Sequence, residues 1–143
     1  MNQMKLDKYI GTKIVYAFPM KAVHAEGILN RSIDTNNADE EGNGYLVEYK
    51  DGYQSWSPKA QFEEAYRPME DMSFSLALEA LKKGYKVSRK NWNGKNMWIE
   101  MQLPTETSKM TLPYIYMKTV NDDLVPWLAS QTDLLAEDWF FVE

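Results

Sequence analysis

Cysteine is absent from the 143 residues, which excludes disulfides, thiolate nucleophiles and cysteine-ligated metals. Histidine occurs once, as His24, and one imidazole cannot build a zinc site from the usual His and Cys ligands. Lying beside Ala22 and Val23, it reads as structural rather than catalytic. Neither a Gly-x-Ser-x-Gly elbow nor a Gly-x-x-x-x-Gly-Lys phosphate loop is present. Gly42-Asn-Gly44 is a fragment of a dinucleotide fingerprint, but it precedes a strand where the fingerprint should follow one. No metal and no cofactor are expected. No apolar run approaches the roughly 18 residues of a membrane span, and the opening Met1-Asn-Gln-Met-Lys-Leu6 lacks a signal-peptide core. The expected compartment is the cytosol, with no membrane partner.

Basic charge is also short. Sixteen Lys and Arg stand against 21 Asp and Glu, a net charge of −5. Proteins that grip long nucleic acid usually present a basic surface, because counterion release supplies the affinity. Long nucleic acid is therefore not an expected partner. A small phosphate-bearing ligand needs only a local cluster, and Lys82, Lys83, Lys86, Arg89, Lys90 and Lys95 crowd one stretch. That stretch is a solvated face, a phosphate-facing rim, or a basic patch meeting an acidic one across a subunit contact.

The length suits one ordinary domain or two small ones. Two halves of about 70 residues each bury less of their surface than one larger body, so two modules need each other or a second copy of the chain. Tyr9 to Ala17 reads as a strand, rich in residues that favour a half-buried pleated surface, with Phe18-Pro19-Met20 ending it. Ile33 to Gly44 is a polar loop. Tyr45–Tyr49 and Tyr53–Trp56 flank Lys50-Asp51-Gly52 as a hairpin. Ser57-Pro58 has the form of an N-cap with Pro at the first helical position, opening a short helix to Tyr66. Residues 1–68 thus form a small β-rich module.

In the second half, residues 72–143, Ser73 caps a helix from Phe74 to Lys83 with Phe74, Ala77, Leu78 and Leu81 on one face, and Gly84 stops it. A strand from Tyr85 to Lys90 leads to Asn93-Gly94, read as a tight hairpin turn. The returning strand puts Met97, Ile99, Met101 and Leu103 on one face and Trp98, Glu100 and Gln102 on the other. Leu112–Thr119 reads as a third strand, with Pro113 at its start or on an edge. Asn121–Asp123 is a turn, and Leu124–Trp127 a short strand. Ser130-Gln-Thr-Asp133 resembles a capping box before a single turn, Leu134–Glu137, and Trp139–Val142 closes the chain. The expected class is α+β: a small β-rich module, then a helix packed on an antiparallel sheet.

The chemistry lies in the aromatic residues. Five tryptophans occur, and Trp92, Trp127 and Trp139 bracket polar turns. Trp98 and Trp139 read as core. Trp92, at the shoulder of a turn, is hard to bury with its own strands and is available to stack on a planar ring, worth about 1–3 kcal/mol. Asn93 can bond a base edge, and Arg89 can make paired bonds to a phosphate. The helix start at Ser130, Gln131 and Thr132 offers free backbone N–H groups, and Asp133 can accept from ribose hydroxyls. Together these describe a nucleotide-like ligand. The carboxylates Asp133, Glu137 and Asp138 also cluster in sequence, as glycoside hydrolysis would require, but a cap explains Asp133 and a strand-start anchor explains Asp138. No catalytic residue is assigned, and the chain is not expected to be an enzyme.

Three segments carry a resemblance. Ser73-Phe-Ser-Leu-Ala-Leu-Glu-Ala-Leu-Lys-Lys-Gly84, Arg89-Lys-Asn-Trp-Asn-Gly-Lys95 and Pro126-Trp-Leu-Ala-Ser-Gln-Thr-Asp-Leu-Leu-Ala-Glu-Asp-Trp139 resemble the phage-encoded Thoeris anti-defence proteins of the second type, across 72–143 and in the family's order. The resemblance implies a sponge in the host bacterial cytosol. Such proteins hold the cyclic ADP-ribose-like messenger made by a bacterial TIR-domain enzyme, of the glycocyclic ADP-ribose type, and some hold cyclic dinucleotides of the CBASS pathway. It also implies a homo-oligomer, a tetramer built as a dimer of dimers with pockets at subunit contacts. Carried over by position, Phe74 and Trp92 are expected as ring-stacking walls, and Trp127 is also expected at the ligand. Asn93, Ser130, Gln131, Thr132 and Asp133 are the expected polar contacts, with Arg89 at the phosphates or bracing the turn. The N-terminal half resembles a module of other small phage proteins. Two readings compete with the sponge: a scaffold whose aromatics anchor interfaces, and a single-strand nucleic-acid binder using Trp92, Trp98 and the basic stretch.

Overall fold

The computed structural model describes residues 4–143, and the chain divides into two compact units, Met1–Tyr66 and Arg67–Glu143. The first unit has a three-stranded antiparallel sheet in the order β1 (Tyr16–Pro19), β2 (Gly44–Glu48), β3 (Gln54–Pro58). Two helices complete it, α1 (Ala22–Leu29) and α2 (Lys59–Ala65). The β2–β3 hairpin turns through Gly52 at φ 88°, a left-handed conformation in which a Cβ is strained.

Two expectations for this unit are corrected, and a third difference is a helix that the sequence reading did not anticipate. The first strand runs from Tyr16 to Pro19, and residues 4–15 form no strand; Tyr9 and Ile10 are over nine-tenths exposed. The reason is the partner. β1 pairs with β2 from Pro19↔Tyr45 back to Tyr16↔Glu48, where β2 ends at its own turn, so earlier residues have no ladder to join. Strand propensity without a partner does not make a strand. Secondly, Ser57 does not cap α2. It stays in β3 opposite Tyr45, Pro58 is the N-cap, and the helix opens at Lys59. Thirdly, α1 lies where periodicity carried little signal: only Ala22 and Ala25 are buried, Lys21 caps it without a side-chain bond, and Gly27 sits within it.

The second unit is a five-stranded antiparallel sheet in the order β7 (Leu124–Pro126), β6 (Tyr114–Lys118), β5 (Trp98–Gln102), β4 (Lys86–Arg89), β8 (Trp139–Val142). Helix α3 (Phe74–Lys82) packs on β4, β5 and β8. Its N-cap is Ser73, whose hydroxyl accepts from the Leu76 N–H, and Gly84 at φ 93° ends the turn after it. The core is Met72, Ala77, Ala80, Leu81, Val87, Ile99 and Trp139. The α+β expectation is borne out.

Two local readings change here. Ser130 and Asp133 do form a capping box, but the box places Asp133 inside the helix as its third residue, so α4 spans Gln131–Leu135 rather than beginning at Leu134. Asn93-Gly94 is not a two-residue hairpin. Residues 90–97 link β4 to β5, and the left-handed residue is Asn96 at φ 59°. The cause is Asp138. Its carbonyl accepts from the Lys90 N–H and its carboxylate from the Asn91 N–H, so the chain leaving β4 stays tied to the β8 side beyond Arg89.

Candidate functional site: an aromatic cluster fastened by Asp133

Four aromatic side chains from separate segments meet at the start of α3. Phe74 is the first helical residue, Trp92 lies in the β4–β5 link, Trp127 follows β7, and Trp139 opens β8. Trp139 is fully buried and central. Its centroid lies 5.5 Å from that of Phe74, 5.3 Å from Trp92 and 6.0 Å from Trp127, the last two edge-to-face. Phe74 and Trp92 each reach Trp127, at 6.1 and 6.3 Å. These separations are favourable for aromatic pairs, worth about 0.5–1.5 kcal/mol each beyond burial. Trp139 is thus a floor, and Phe74, Trp92 and Trp127, each half-buried, keep part of their surface for another group.

Asp133 fastens this cluster. One carboxylate oxygen accepts from Arg89 at 2.9 Å and from the Trp92 indole N–H at 3.1 Å. The other accepts the Ser130 N–H at 3.1 Å, and the Asp133 N–H returns a bond to the Ser130 hydroxyl at 3.0 Å. The Asp133 carbonyl accepts from the Trp139 indole N–H at 3.0 Å. One residue therefore holds two of the tryptophans, the helix cap and Arg89. Arg89 divides its guanidinium between Asp133 and, through Nε at 2.9 Å, Asp138.

The charges follow from this geometry. Burial pushes the Asp133 carboxyl up, but the Ser130 N–H, Arg89 and Trp92 outweigh it and hold the group below its ordinary value. Asp138 behaves likewise: burial raises it, and Arg89 with the Asn91 N–H brings it down. Burial pulls Arg89 down, yet its two carboxylates carry it above its ordinary value. Glu137, the third carboxylate of the stretch, pairs with Arg67. A general acid needs a raised pKa, and neither Asp133 nor Asp138 has one. Among the described residues no three metal-binding side chains converge.

The expected site residues thus fall into two sets. Arg89 and Asp133 are spent inside the chain, Asp133 being buried with both carboxylate oxygens occupied. Asn93, Ser130, Gln131 and Thr132 are exposed. The side chains of Asn93, Gln131 and Thr132 have no hydrogen-bond partner among the described residues. The amides of Gln131 and Thr132, at the first turn of α4, come too early for a partner within the helix. Sequence reasoning missed how central Asp138 is to the β4–β5 link; its place directly before a strand was the available signal. Two cavities, of about 560 and 190 Å³, are lined by first-unit residues instead. An aromatic patch fit for stacking need not be concave, and the cluster remains the better candidate.

Comparison with known proteins converges on the same stretch. A family model described as the Thoeris anti-defense 2-like domain matches residues 72–142, from Met72 in the core to the end of β8. A protein of Bacillus phage SP01 described as Thoeris anti-defense 2 is 38% identical over 84 residues, which cover 50% of this chain and 94% of that relative. With nearly the whole length of that relative matched, this chain belongs to the Thoeris anti-defense 2-like family.

Proposed function

We propose that residues 72–143 hold a cyclic ADP-ribose-like immune messenger intact in the host cytosol, so that a Thoeris effector is never activated. The observation that carries the reading is the coincidence of the family match with three half-buried rings beside exposed polar groups on α4 and at Asn93. In this proposal Phe74, Trp92 and Trp127 contact the planar base. Asn93, Ser130, Gln131 and Thr132 bond its polar edge and phosphates. Arg89 and Asp133 act from behind, by fixing Trp92 and the start of α4. Residues 1–68 are a separate module in this arrangement.

A second copy of the chain completes the site, in a homotetramer. What supports this is apolar exposure in and just before α4, where Leu128 is 92% and Leu135 77% exposed and so open to a partner. Cyclic dinucleotides of the CBASS pathway are further candidate ligands, since they present the same purine and phosphate chemistry.

Sequestration requires holding, not turnover. Outcompeting an effector that responds near micromolar messenger asks for a Kd of about 10 nM, roughly −11 kcal/mol. The test is to incubate the protein with the product of a TIR-domain enzyme, remove unbound nucleotide, heat the complex and weigh what is released. Intact messenger is the expected result. A cleaved product would replace the sponge by an enzyme, and no depletion of any cyclic adenine nucleotide would leave the scaffold reading in its place.

A further inference from the structure

We propose that the first unit carries a binding site of its own, for a small phosphate-bearing ligand with a planar ring, in the cleft between β1, α1, β2 and α2. The cleft has a volume of about 560 Å³, within the range of roughly 300–1,000 Å³ common to small-molecule sites.

Its basic side chains come from two helices and their approaches. Lys21 precedes α1, His24 lies in its first turn, and Lys59 opens α2; all three line the cleft. Neither lysine has a carboxylate partner among the described residues. One carboxylate, Glu63, also lines the cleft, and the acidic groups nearby are hydrogen-bonded to neutral donors. Glu63 accepts from the Tyr45 hydroxyl at 2.8 Å, and Asp39 and Glu41 accept from the Asn43 side chain at 3.1 and 3.3 Å. Two lysines without ion-pair partners against one cleft-lining carboxylate leave a net positive charge, which suits a small anion.

The aromatic wall gives the ring. Phe18, on edge strand β1, lines the cleft while 64% exposed. Tyr45 lines it too, its ring stacked on Phe62 at 4.1 Å and so held in place. Rings beside free lysines provide for stacking and charge together, as a nucleoside phosphate requires.

The floor is fixed before any ligand arrives. The Met20 N–H bonds the Gly44 carbonyl at 2.8 Å, the Lys59 N–H bonds the Asn43 carbonyl at 3.1 Å, and the Trp56 indole N–H bonds the Met20 carbonyl at 2.7 Å. Gly44 admits this closeness, since a Cβ there would lie 2.3 Å from both the Ser57 carbonyl oxygen and the Trp56 ring. A preformed cleft loses little in ordering on binding. No part of this depends on the messenger reading of the second unit.

The test is calorimetry on the full chain with AMP, adenosine and inorganic phosphate as separate probes. AMP is expected to bind more tightly than either fragment. Lys21→Ala with Lys59→Ala should weaken AMP by at least about tenfold, because charge-assisted bonds are lost. Phe18→Ala should weaken AMP and adenosine while leaving phosphate unchanged, and Trp92→Ala should leave AMP binding in place. The proposal is overturned if wild-type protein fails to bind AMP at millimolar concentration. It is equally overturned if the lysine pair can be removed without effect, if Trp92→Ala abolishes the signal and so assigns it to the second unit, or if phosphate binds as well as AMP, which leaves an anion site without a ring.

Discussion

Replacing Asp133 with Ala perturbs the second unit at its most connected point. The substitution removes the reciprocal cap of α4, typically worth about 1 kcal/mol. It also removes the acceptor of the Trp92 indole, a further 1 kcal/mol or so. It takes one of two carboxylates from Arg89, whose side chain is 9% exposed against 11% for Asp133. Breaking a buried pair by deleting one partner costs about 3–5 kcal/mol, but Asp138 still holds Nε and keeps the guanidinium from being stranded, so this contribution falls well below that range. The three losses share one side chain and do not add, and about 3 kcal/mol is the expected total. For a domain of this size each kcal/mol moves Tm by roughly 4–8 °C, so the transition should fall by about 12–24 °C. Thermal unfolding followed by near-ultraviolet circular dichroism reads it, because Trp92, Trp127 and Trp139 all report on the cluster. The pH dependence adds a second check. The folded pKa of Asp133 is lowered, so its stabilisation is complete above the ordinary carboxylate value of 3.8 and lost as pH falls through the folded value. The gap in Tm between wild type and variant should therefore be widest near neutrality and narrow below that point. A shift under about 4 °C at neutral pH, or a gap that widens in acid, would refute the role given to Asp133.

Trp139→Ala should cost about 3–5 kcal/mol, the range for emptying a buried large aromatic site, and abolish the near-ultraviolet signal of the cluster. Gly44→Ala forces a Cβ against the Ser57 carbonyl oxygen, which as backbone cannot swing aside; a loss of about 1–3 kcal/mol is expected from the overpacking, visible in the emission of Trp56. Tyr116, pushed up to about 12 by burial and by its hydrogen bond to Glu100, should be among the last tyrosines to ionise in an alkaline spectrophotometric titration. Tyr116→Phe should remove one of the late steps. Leu135→Asp, on exposed surface, should yield a smaller species in sedimentation without changing the circular dichroism, provided the apolar surface around α4 is the self-association contact.

What could be read from the sequence was whatever local chemistry decides. Ser73 and Gly84 bound α3, Gly52 turns the β2–β3 hairpin, and Ser130 with Asp133 forms the capping box, since each signal acts within a few residues. The failures share a different cause. β1 begins at Tyr16 because β2 has no more strand to offer. Asn93-Gly94 does not turn the chain because Asp138, 47 residues from Asn91, holds the preceding amides. Helix α1 buries two alanines, too little apolar surface to leave a periodic signature. Pairing partners distant in sequence decided all but the last of these, and no local pattern encodes them.

The same division separates the residues of the candidate site. Trp92 looked free to stack because a tight turn offers little cover, yet its indole N–H ends on Asp133, 41 residues away, and its ring meets Trp139 edge-on. Arg89 and Asp133 have the chemistry of ligand contacts, but they meet each other in the folded chain, and a carboxylate already accepting three hydrogen bonds has little capacity for a ribose. Position in the fold therefore predicts two kinds of loss. Removing Trp92 or Trp127 should weaken messenger binding by more than it lowers Tm, since each ring keeps surface for a ligand. Removing Asp133 should weaken binding only in step with stability, because its influence passes through the indole it orients. An Asp133→Asn variant separates these cases: its amide oxygen keeps an acceptor for the cap, while the charge and the acceptor of Arg89 and Trp92 are lost. If it retains its Tm and yet loses the messenger entirely, Asp133 touches the ligand directly and the bracing role assigned to it fails.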